Sequence, residues 1–406
     1  MSVGTDRMSL LSYLKQNNRS FFVNEIFILL DNDLSIKHWG LTEYIKIHVV
    51  FVVSLLFSSL LILLNIFFKA NLNFKNLIAI SRVSREKNKI RRVIGNAQYI
   101  SDDIKNKDYS IYRYGSRRKR LYFLFFLLAK QSFQEFNYIK EILNCDLLKE
   151  NKYLILSWCA KRIPHTVVFK NTINYVISHY ELTDIYIGAT HERFALIIED
   201  EAKKYNKRII CIPHGVETTD EFPHEYVGDI FYCTSFNVSV KLKEVYKSNK
   251  YIYDESVTKR MFQIESIPTR KTRRVVFFTS PLRNEENTKE IIRETALFLK
   301  NMNEKLFIKV HPIENSKDYL FYNCEIVDNF DEAIFGNICV SFISTALIEA
   351  IYNESVAISI TNLVKNGDLL DGNRYFLNDS RIIKPESWDE YISEFEKLRN
   401  VELQRS

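Results

Sequence analysis

KLFIKVHPIE at residues 305–314 and GNICVSFISTALIEA at residues 336–350 decide the reading of this chain. In the first, the apolar run Leu306–Val310 stops at His311-Pro312. In the second, Ile338–Phe342 stops at Ser344-Thr345, and a helical pattern begins with Ala346, Leu347, Glu349 and Ala350. Apolar runs of this length, closed by breakers, suit strands of a buried parallel sheet. In open parallel sheets ligands collect beyond the carboxyl ends of the strands. His311 and Ser344-Thr345 stand at two such ends.

The chemistry there suits a phosphate. A strand-to-helix turn presents unpaired backbone N–H groups, and the helix dipole favours an anion. The Ser344 and Thr345 hydroxyls either cap the helix or donate to phosphate oxygens. Both readings stay open from local features, as does a solvated loop position for His311. His311 is a further donor, and Pro312 ends the strand. Glu349, about one turn into the helix, is a candidate acceptor for ribose hydroxyls.

The pairing of KVHP with STALIEA resembles the nucleotide-binding half of GT-B glycosyltransferases. It is most similar to the bacterial sialyltransferase and polysialyltransferase group, with its HP and Ser/Thr motifs. CDP-glycerol and CDP-ribitol phosphotransferases share a similar HP element. The similarity covers roughly Arg273 to Ile360. It implies an α/β, GT-B-like fold of two Rossmann-like domains facing a cleft. The C-terminal domain would hold the donor through His311, Pro312, Ser344, Thr345, Glu349 and Ser280. The implied donor is CMP-sialic acid or a related CMP-sugar, with neither metal nor bound cofactor required.

Composition fits two domains and an extension. The chain has 406 residues, 46% of them hydrophobic, which suffices for real cores. With 10 glycines, and neither GxGxxG nor GxxxxGK[ST], a glycine-rich phosphate loop is not expected. The net charge of +6 is modest, and the basic residues are clustered. The aromatics Tyr112, Tyr114 and Tyr122 near such a cluster come without an RRM, KH or helix-turn-helix pattern, so nucleic acid is not an expected partner. The six cysteines form no CxxC pair, which argues against zinc and suits a reducing compartment. Cys211 and Cys339 lie in apolar runs and read as core residues.

Ile47–Phe68 reads IHVVFVVSLLFSSLLILLNIFF, 22 residues without Asp, Glu, Lys or Arg. At ~1.5 Å per residue this matches the core of a bilayer. The expected element is a membrane helix at about 47–68, within an N-terminal segment 1–92. Burial in the N-terminal domain or docking on a membrane face is the alternative. Lys69, Lys75, Arg82, Arg85, Lys87, Lys89, Arg91 and Arg92 follow the run, whereas Lys37 and Lys46 before it are offset by Asp31, Asp33 and Glu43. The positive-inside rule then puts the bulk of the chain in the cytoplasm, where nucleotide sugars are found. Asp31 and Asp33 have DxD spacing but precede the span, and are set aside as metal ligands. Arg113, Arg117, Arg118, Lys119 and Arg120 precede another apolar run, Leu121–Leu128, a combination that often meets anionic headgroups. Phe21–Leu30 is apolar but interrupted by Asn24 and Glu25, and reads as an amphipathic or buried segment rather than a signal peptide.

From residue 152 strands and helices alternate. Lys152–Leu156, Asp184–Gly188, Arg208–Ile212 and Asp229–Cys233 are expected strands, with helices at about 192–205 and 238–247. These form an acceptor-side domain, 93–250. Polar residues 248–271 read as a linker. Arg274–Thr279 opens the donor domain, 272–386, and a final helix occupies 387–406. Sugar transfer needs a base for the acceptor hydroxyl. His191 and Glu192 after one strand, and His214 after the next, are the candidates. The His-Gly pair at 214–215 is similar to one in the teichoic-acid and capsule enzymes. The acidic pair followed by Gly of the sialyltransferases is absent from this sequence.

The expected protein is a membrane-anchored, metal-independent glycosyltransferase at the cytoplasmic face of a bacterial inner membrane. Its partners would be a nucleotide-sugar donor, a lipid-linked or cell-surface glycan acceptor, and the membrane. A CDP-glycerol or ribitol type phosphotransferase and a non-catalytic scaffold of polysaccharide assembly are the alternatives.

Overall fold

In a computed structural model of the chain, residues 3–17, 20–31, 41–67, 77–81, 84–95, 97–101, 117–145, 148, 151–213, 215, 217–265, 273–279, 285–312, 314–320, 324–364 and 374–403 are described. They form two compact units, residues 1–214 with 221–232 and residues 215–220 with 233–406. Ser280 and His214, expected in the donor and acceptor sites, lie outside the described residues, as do Arg113 and Asp33.

In the first unit, helices Val3–Gln16, Val23–Asp31 and Leu41–Leu64 precede strand β1 (Leu77–Ser81), helix Ser84–Ile94 and β2 (Gln98–Ser101). A helical layer follows: Arg117–Tyr122, a π-helical stretch Phe123–Leu127, Leu128–Ile142, Lys152–Ala160 and Ile163–His179. Then come β3 (Asp184–Ile187), helix Arg193–Lys204, β4 (Arg208–Cys211) and β5 (Ile230–Tyr232). These strands lie side by side in the order β2-β1-β3-β4-β5, all parallel. Chain direction across the sheet therefore reverses between β1 and β3.

Two expectations are corrected here. Lys152–Leu156 is helical, not a strand. A short apolar run does not distinguish the two by itself, and this one packs against helices Leu41–Leu64 and Ile163–His179, burying Ile155, Leu156, Cys159 and Ala160. The α/β domain also begins earlier than residue 93. Leu77–Ser81 is a central strand of its sheet, in register with both Gln98–Ser101 and Asp184–Ile187.

In the second unit, helix Phe236–Tyr246 precedes β6 (Tyr251–Ile252) and helix Glu255–Phe262, and these last two occupy the expected linker. The Asp254 carboxylate caps that helix, accepting from Ser256 N and Val257 N at 2.9 and 3.2 Å. Hydrogen bonding from Ser256 holds this carboxyl below its usual range. Asn353 secures the end of the segment, donating to Phe262 O at 3.0 Å and accepting from Ile264 N at 2.9 Å. The expected linker is therefore built of regular elements as far as Phe262.

The second sheet contains β7 (Val275–Phe278), β8 (Leu306–Lys309), β9 (Cys324–Ile326), β10 (Ile338–Ser341), β11 (Val356–Ser359) and β12 (Ile382–Ile383). Helices Glu285–Asn301, Phe330–Ile334 and Ala346–Ile351 connect successive strands. The order is β12-β11-β10-β7-β8-β9, again parallel. Counted from β7, this is the 3-2-1-4-5-6 winding of a Rossmann sheet. β7 and β10, at its centre, are buried at every position, which is why they read as continuous apolar runs. The last helix, Trp388–Leu403, seats Tyr391 against Thr295, hydroxyl to hydroxyl at 3.2 Å.

Candidate functional site

The second sheet reverses direction between β7 and β10, whose register pairs Ser341 with Phe278. Doubly wound sheets bind ligands in the crevice at this point. The turn after β10 carries Ser344 and Thr345. The turn after β8, one strand beyond β7, carries His311.

The His311 turn is held by a chain of hydrogen bonds. Glu314 N donates to His311 O at 2.9 Å, closing a β-turn in which Pro312 takes the position that suits its fixed φ. The buried Thr279 hydroxyl accepts from His311 N at 2.8 Å and donates to Glu314 Oε2 at 2.6 Å. Tyr319 OH donates to Glu314 Oε1 at 2.6 Å. Residue 279 at the end of β7 thus fixes the turn at the end of β8. His311 is half-buried and Pro312 exposed. Lys309 faces elsewhere, its ammonium donating to Asp328 O at 2.7 Å. Thr279→Val is expected to lower stability by about 1–3 kcal/mol, because it strips partners from His311 N and Glu314. Urea unfolding measures this. An unchanged midpoint would show that the turn stands without the latch.

At the other turn the two hydroxyls differ. Ser344 Oγ accepts from Ala346 N at 3.2 Å, and Ser344 O accepts from Leu347 N at 3.1 Å. Thr345, the residue preceding the helix, makes no side-chain cap. Both residues are half-buried. The helix Ala346–Ile351 has six residues, so its dipole is short, and hydroxyls and backbone N–H groups are the donors the turn offers. Glu349 is buried on this helix.

In the first unit the corresponding reversal lies between β1 and β3. Gly188 follows β3, and a Cβ there would meet Glu86 Cβ at 2.9 Å. The missing side chain is what lets the buried Glu86, in the first turn of helix Ser84–Ile94, sit against this loop. Sequence reading missed Glu86 because β1 itself was unrecognised.

His191 stacks on Phe222 with ring centroids 4.6 Å apart and planes within 5°, and meets the edge of Tyr226 at 5.6 Å. Its Nδ1 lies 2.8 Å from the Thr190 hydroxyl. Glu192 braces the loop from within, Oε2 accepting from Thr190 N at 3.0 Å and His191 N at 3.3 Å. The helix Val23–Asp31 braces it from outside. Asn24 Nδ2 donates to His191 O at 3.0 Å and to His224 O at 2.8 Å, while Asn24 Oδ1 accepts from His224 N at 2.8 Å. Glu25 then forms a buried pair with Arg193, whose NH1 donates at 2.8 and 3.1 Å and whose Nε donates to Thr166 at 3.0 Å. The polar interruptions at residues 24 and 25 are therefore the supports of the His191 loop, a role no local pattern revealed.

Among the described residues no group of three His, Cys, Asp or Glu is placed to hold a metal. All six cysteines are free thiols.

No protein-family model matches the chain, and no curated protein matches it. It is similar to solved structures at low identity. UDP-GlcNAc 2-epimerase from Methanocaldococcus jannaschii aligns with a TM-score of 0.43 and 12% identity, over 79% of this chain and 91% of that one. The S. aureus MnaA-UDP co-structure gives 0.38 and 9%, over 73% and 82%. The GtfA/B complex gives 0.35 and 14%, over 57% and 53%.

Proposed function

We propose that the two units are the halves of a GT-B-type glycosyltransferase. It would take a nucleotide-activated sugar, a CMP-sugar first, and pass it to a lipid-linked or cell-surface polysaccharide acceptor. The cytoplasmic face of a bacterial inner membrane is the matching compartment. The observation that carries the donor site is the reversal between β7 and β10, flanked by the Ser344-Thr345 turn and the latched His311 turn. Phosphate recognition is the chemistry this arrangement supports. As the sugar leaves, negative charge grows on the departing nucleotide, and fixed donors would stabilise it.

The candidate bases are His214, His191 and Glu192, and of the two that are described we take His191 ahead of Glu192. The Glu192 carboxylate is occupied by two backbone N–H groups, whereas His191 is a positioned imidazole on a braced loop. A thermal-shift screen of CMP, CDP, UDP and GDP tests the donor, since a ligand selective for the native state raises its apparent stability. Stabilisation by none of them would remove the donor proposal. Product analysis separates sugar transfer from phosphotransfer of the CDP-glycerol kind. Nucleotide binding without turnover would fit a scaffold.

The Ser344→Ala, Thr345→Ala double variant tests the phosphate turn. Loss of the Ser344 cap is expected to cost about 1 kcal/mol of stability. Affinity for CMP and CDP should fall, and affinity for cytidine should fall much less, because the nucleoside has no phosphate. Isothermal titration of the folded variant decides. Equal weakening of all three would mean general distortion, and unchanged CMP affinity would move the donor phosphate away from this turn.

A further inference from the structure

Beyond Lys46 the helix Leu41–Leu64 is apolar all round, yet only 22% of its most apolar 18 residues are buried. The buried residues Ile47, Phe51, Ser58, Leu61 and Ile62 form one stripe at helical spacing. That stripe packs on helices Leu128–Ile142, Lys152–Ala160 and Ile163–His179. Phe51, for example, meets Phe133 at 5.0 Å and Phe136 at 4.8 Å. The opposite stripe, including Val49, Val53, Leu56, Phe57 and Leu60, is exposed along the same length.

This packing bears on whether the helix can span a bilayer. The helices packed against it carry Lys130, Glu135, Lys140, Glu141 and Lys170. A spanning helix would draw those charges towards the hydrocarbon, which is strongly unfavourable. Lying in the plane of the interface, with one stripe on the protein and the other in lipid, avoids this.

A basic and aromatic edge adjoins the same surface. Arg117, Arg118 and Lys119 are exposed, and Phe125 and Phe126 are 69% and 66% exposed. Arg120 ties this edge to the helix end, donating to Asn65 O at 2.6 Å and Ile66 O at 3.0 Å. Arg117 lies over the Phe67 ring at 4.8 Å. Exposed apolar groups beside cations match an anionic leaflet. Behind them is a cavity of about 560 Å³, with Arg118, Lys119 and His179 among its polar lining and Ile62, Leu127 and Val168 among its apolar lining. His179 Nδ1 lies 2.9 Å from Tyr175 O, which can only accept, so Nε2 is left to accept from Lys119 at 2.6 Å. Cations above an apolar wall suit an anion carrying a hydrocarbon chain.

We propose that the first unit is monotopic. The outer stripe of helix Leu41–Leu64 and Phe125-Phe126 enter one leaflet of an anionic membrane, and the cavity beside them receives the phosphate of a long-chain lipid. The inference rests on the membrane part of the function proposed above and is independent of the donor.

The test uses the full chain bearing an epitope at each end, bound to sealed vesicles of phosphatidylcholine with or without phosphatidylglycerol. External protease should remove both epitopes; protection of one would show that the helix spans and overturn the proposal. Flotation should favour the anionic vesicles, and Arg118→Glu with Lys119→Glu should cut binding to them by roughly tenfold or more. Phe125→Asp with Phe126→Asp should weaken binding to both vesicle types. Equal flotation of all variants would also overturn it. For the cavity, farnesyl phosphate, phosphatidylglycerol and glycerol phosphate are compared by thermal shift in neutral-lipid nanodiscs. Stabilisation by farnesyl phosphate above phosphatidylglycerol assigns the cavity to a lipid-linked phosphate, and the reverse to bulk lipid. No stabilisation by either long-chain lipid removes the cavity assignment. CMP titration of the same variants is read separately, so a failed donor site is not mistaken for a failed membrane face.

Discussion

His311→Ala is expected to lower sugar transfer by roughly 10²–10³ with little change in stability. Removing one fixed donor to developing negative charge typically costs that much. The fold should persist because the turn is latched through the backbone of residue 311. His311 N donates to Thr279 and His311 O accepts from Glu314 N, and alanine keeps both groups. The Glu314 to Tyr319 bond is likewise untouched. The check is initial transfer rate at saturating donor beside thermal unfolding of the same preparation. Wild-type turnover would remove His311 from the mechanism, and a rate loss accompanied by an equal loss of folded protein would make it structural. The contrast with Thr279→Val is informative, because that change breaks the latch while keeping the imidazole.

The parts of the fold legible in the sequence are those whose burial is simple. β7 and β10 are covered on both faces, so their apolar runs could be read directly, and the breakers after β8 and β10 marked the candidate donor turns. β9 and β12 have three and two residues, too few to show a period. β1 is only five residues, LIAIS, in a neighbourhood dominated by basic residues, and missing it concealed Glu86 as well. Lys152–Leu156 failed for another reason: an apolar run long enough for a strand was part of a helix whose main partner, Leu41–Leu64, lies far upstream in sequence. Distance along the chain also hid the support of the His191 loop. Asn24 and Glu25 looked like blemishes in an apolar segment, since their partners are His191, Arg193 and His224. The candidate donor turns were legible because their residues sit at the ends of their own strands. The His191 loop was less so, because its geometry is set by a helix more than 160 residues upstream.

Arg193→Ala is expected to lower the stability of the first unit by about 3–5 kcal/mol, the usual cost of leaving one partner of a buried ion pair uncompensated. For a unit of this size that is a fall of roughly 6–20 °C in Tm. The Arg193 and Glu25 side chains are 8% and 10% exposed, so water does little to replace the lost partner. Arg193 also covers the Phe194 ring at 4.2 Å and holds Thr166, and both contacts go with it. Glu25→Ala should cost a similar amount, because it leaves the guanidinium buried. Replacing both residues with methionine should cost far less than Arg193→Met and Glu25→Met summed, since a buried pair exchanged for apolar side chains is often near neutral. The double-mutant cycle, followed by thermal and urea unfolding, thus isolates the pairing from the packing. If the double variant loses as much as the two single variants together, the pair contributes no coupling, and the helix Val23–Asp31 is held by its apolar face alone. If the double variant is stable but the His191 ring becomes mobile by NMR order parameters, the pair's role is to orient the loop. That outcome would join the two ends of this unit in one argument: a charged residue near the chain's start keeps the imidazole proposed as base in a single orientation.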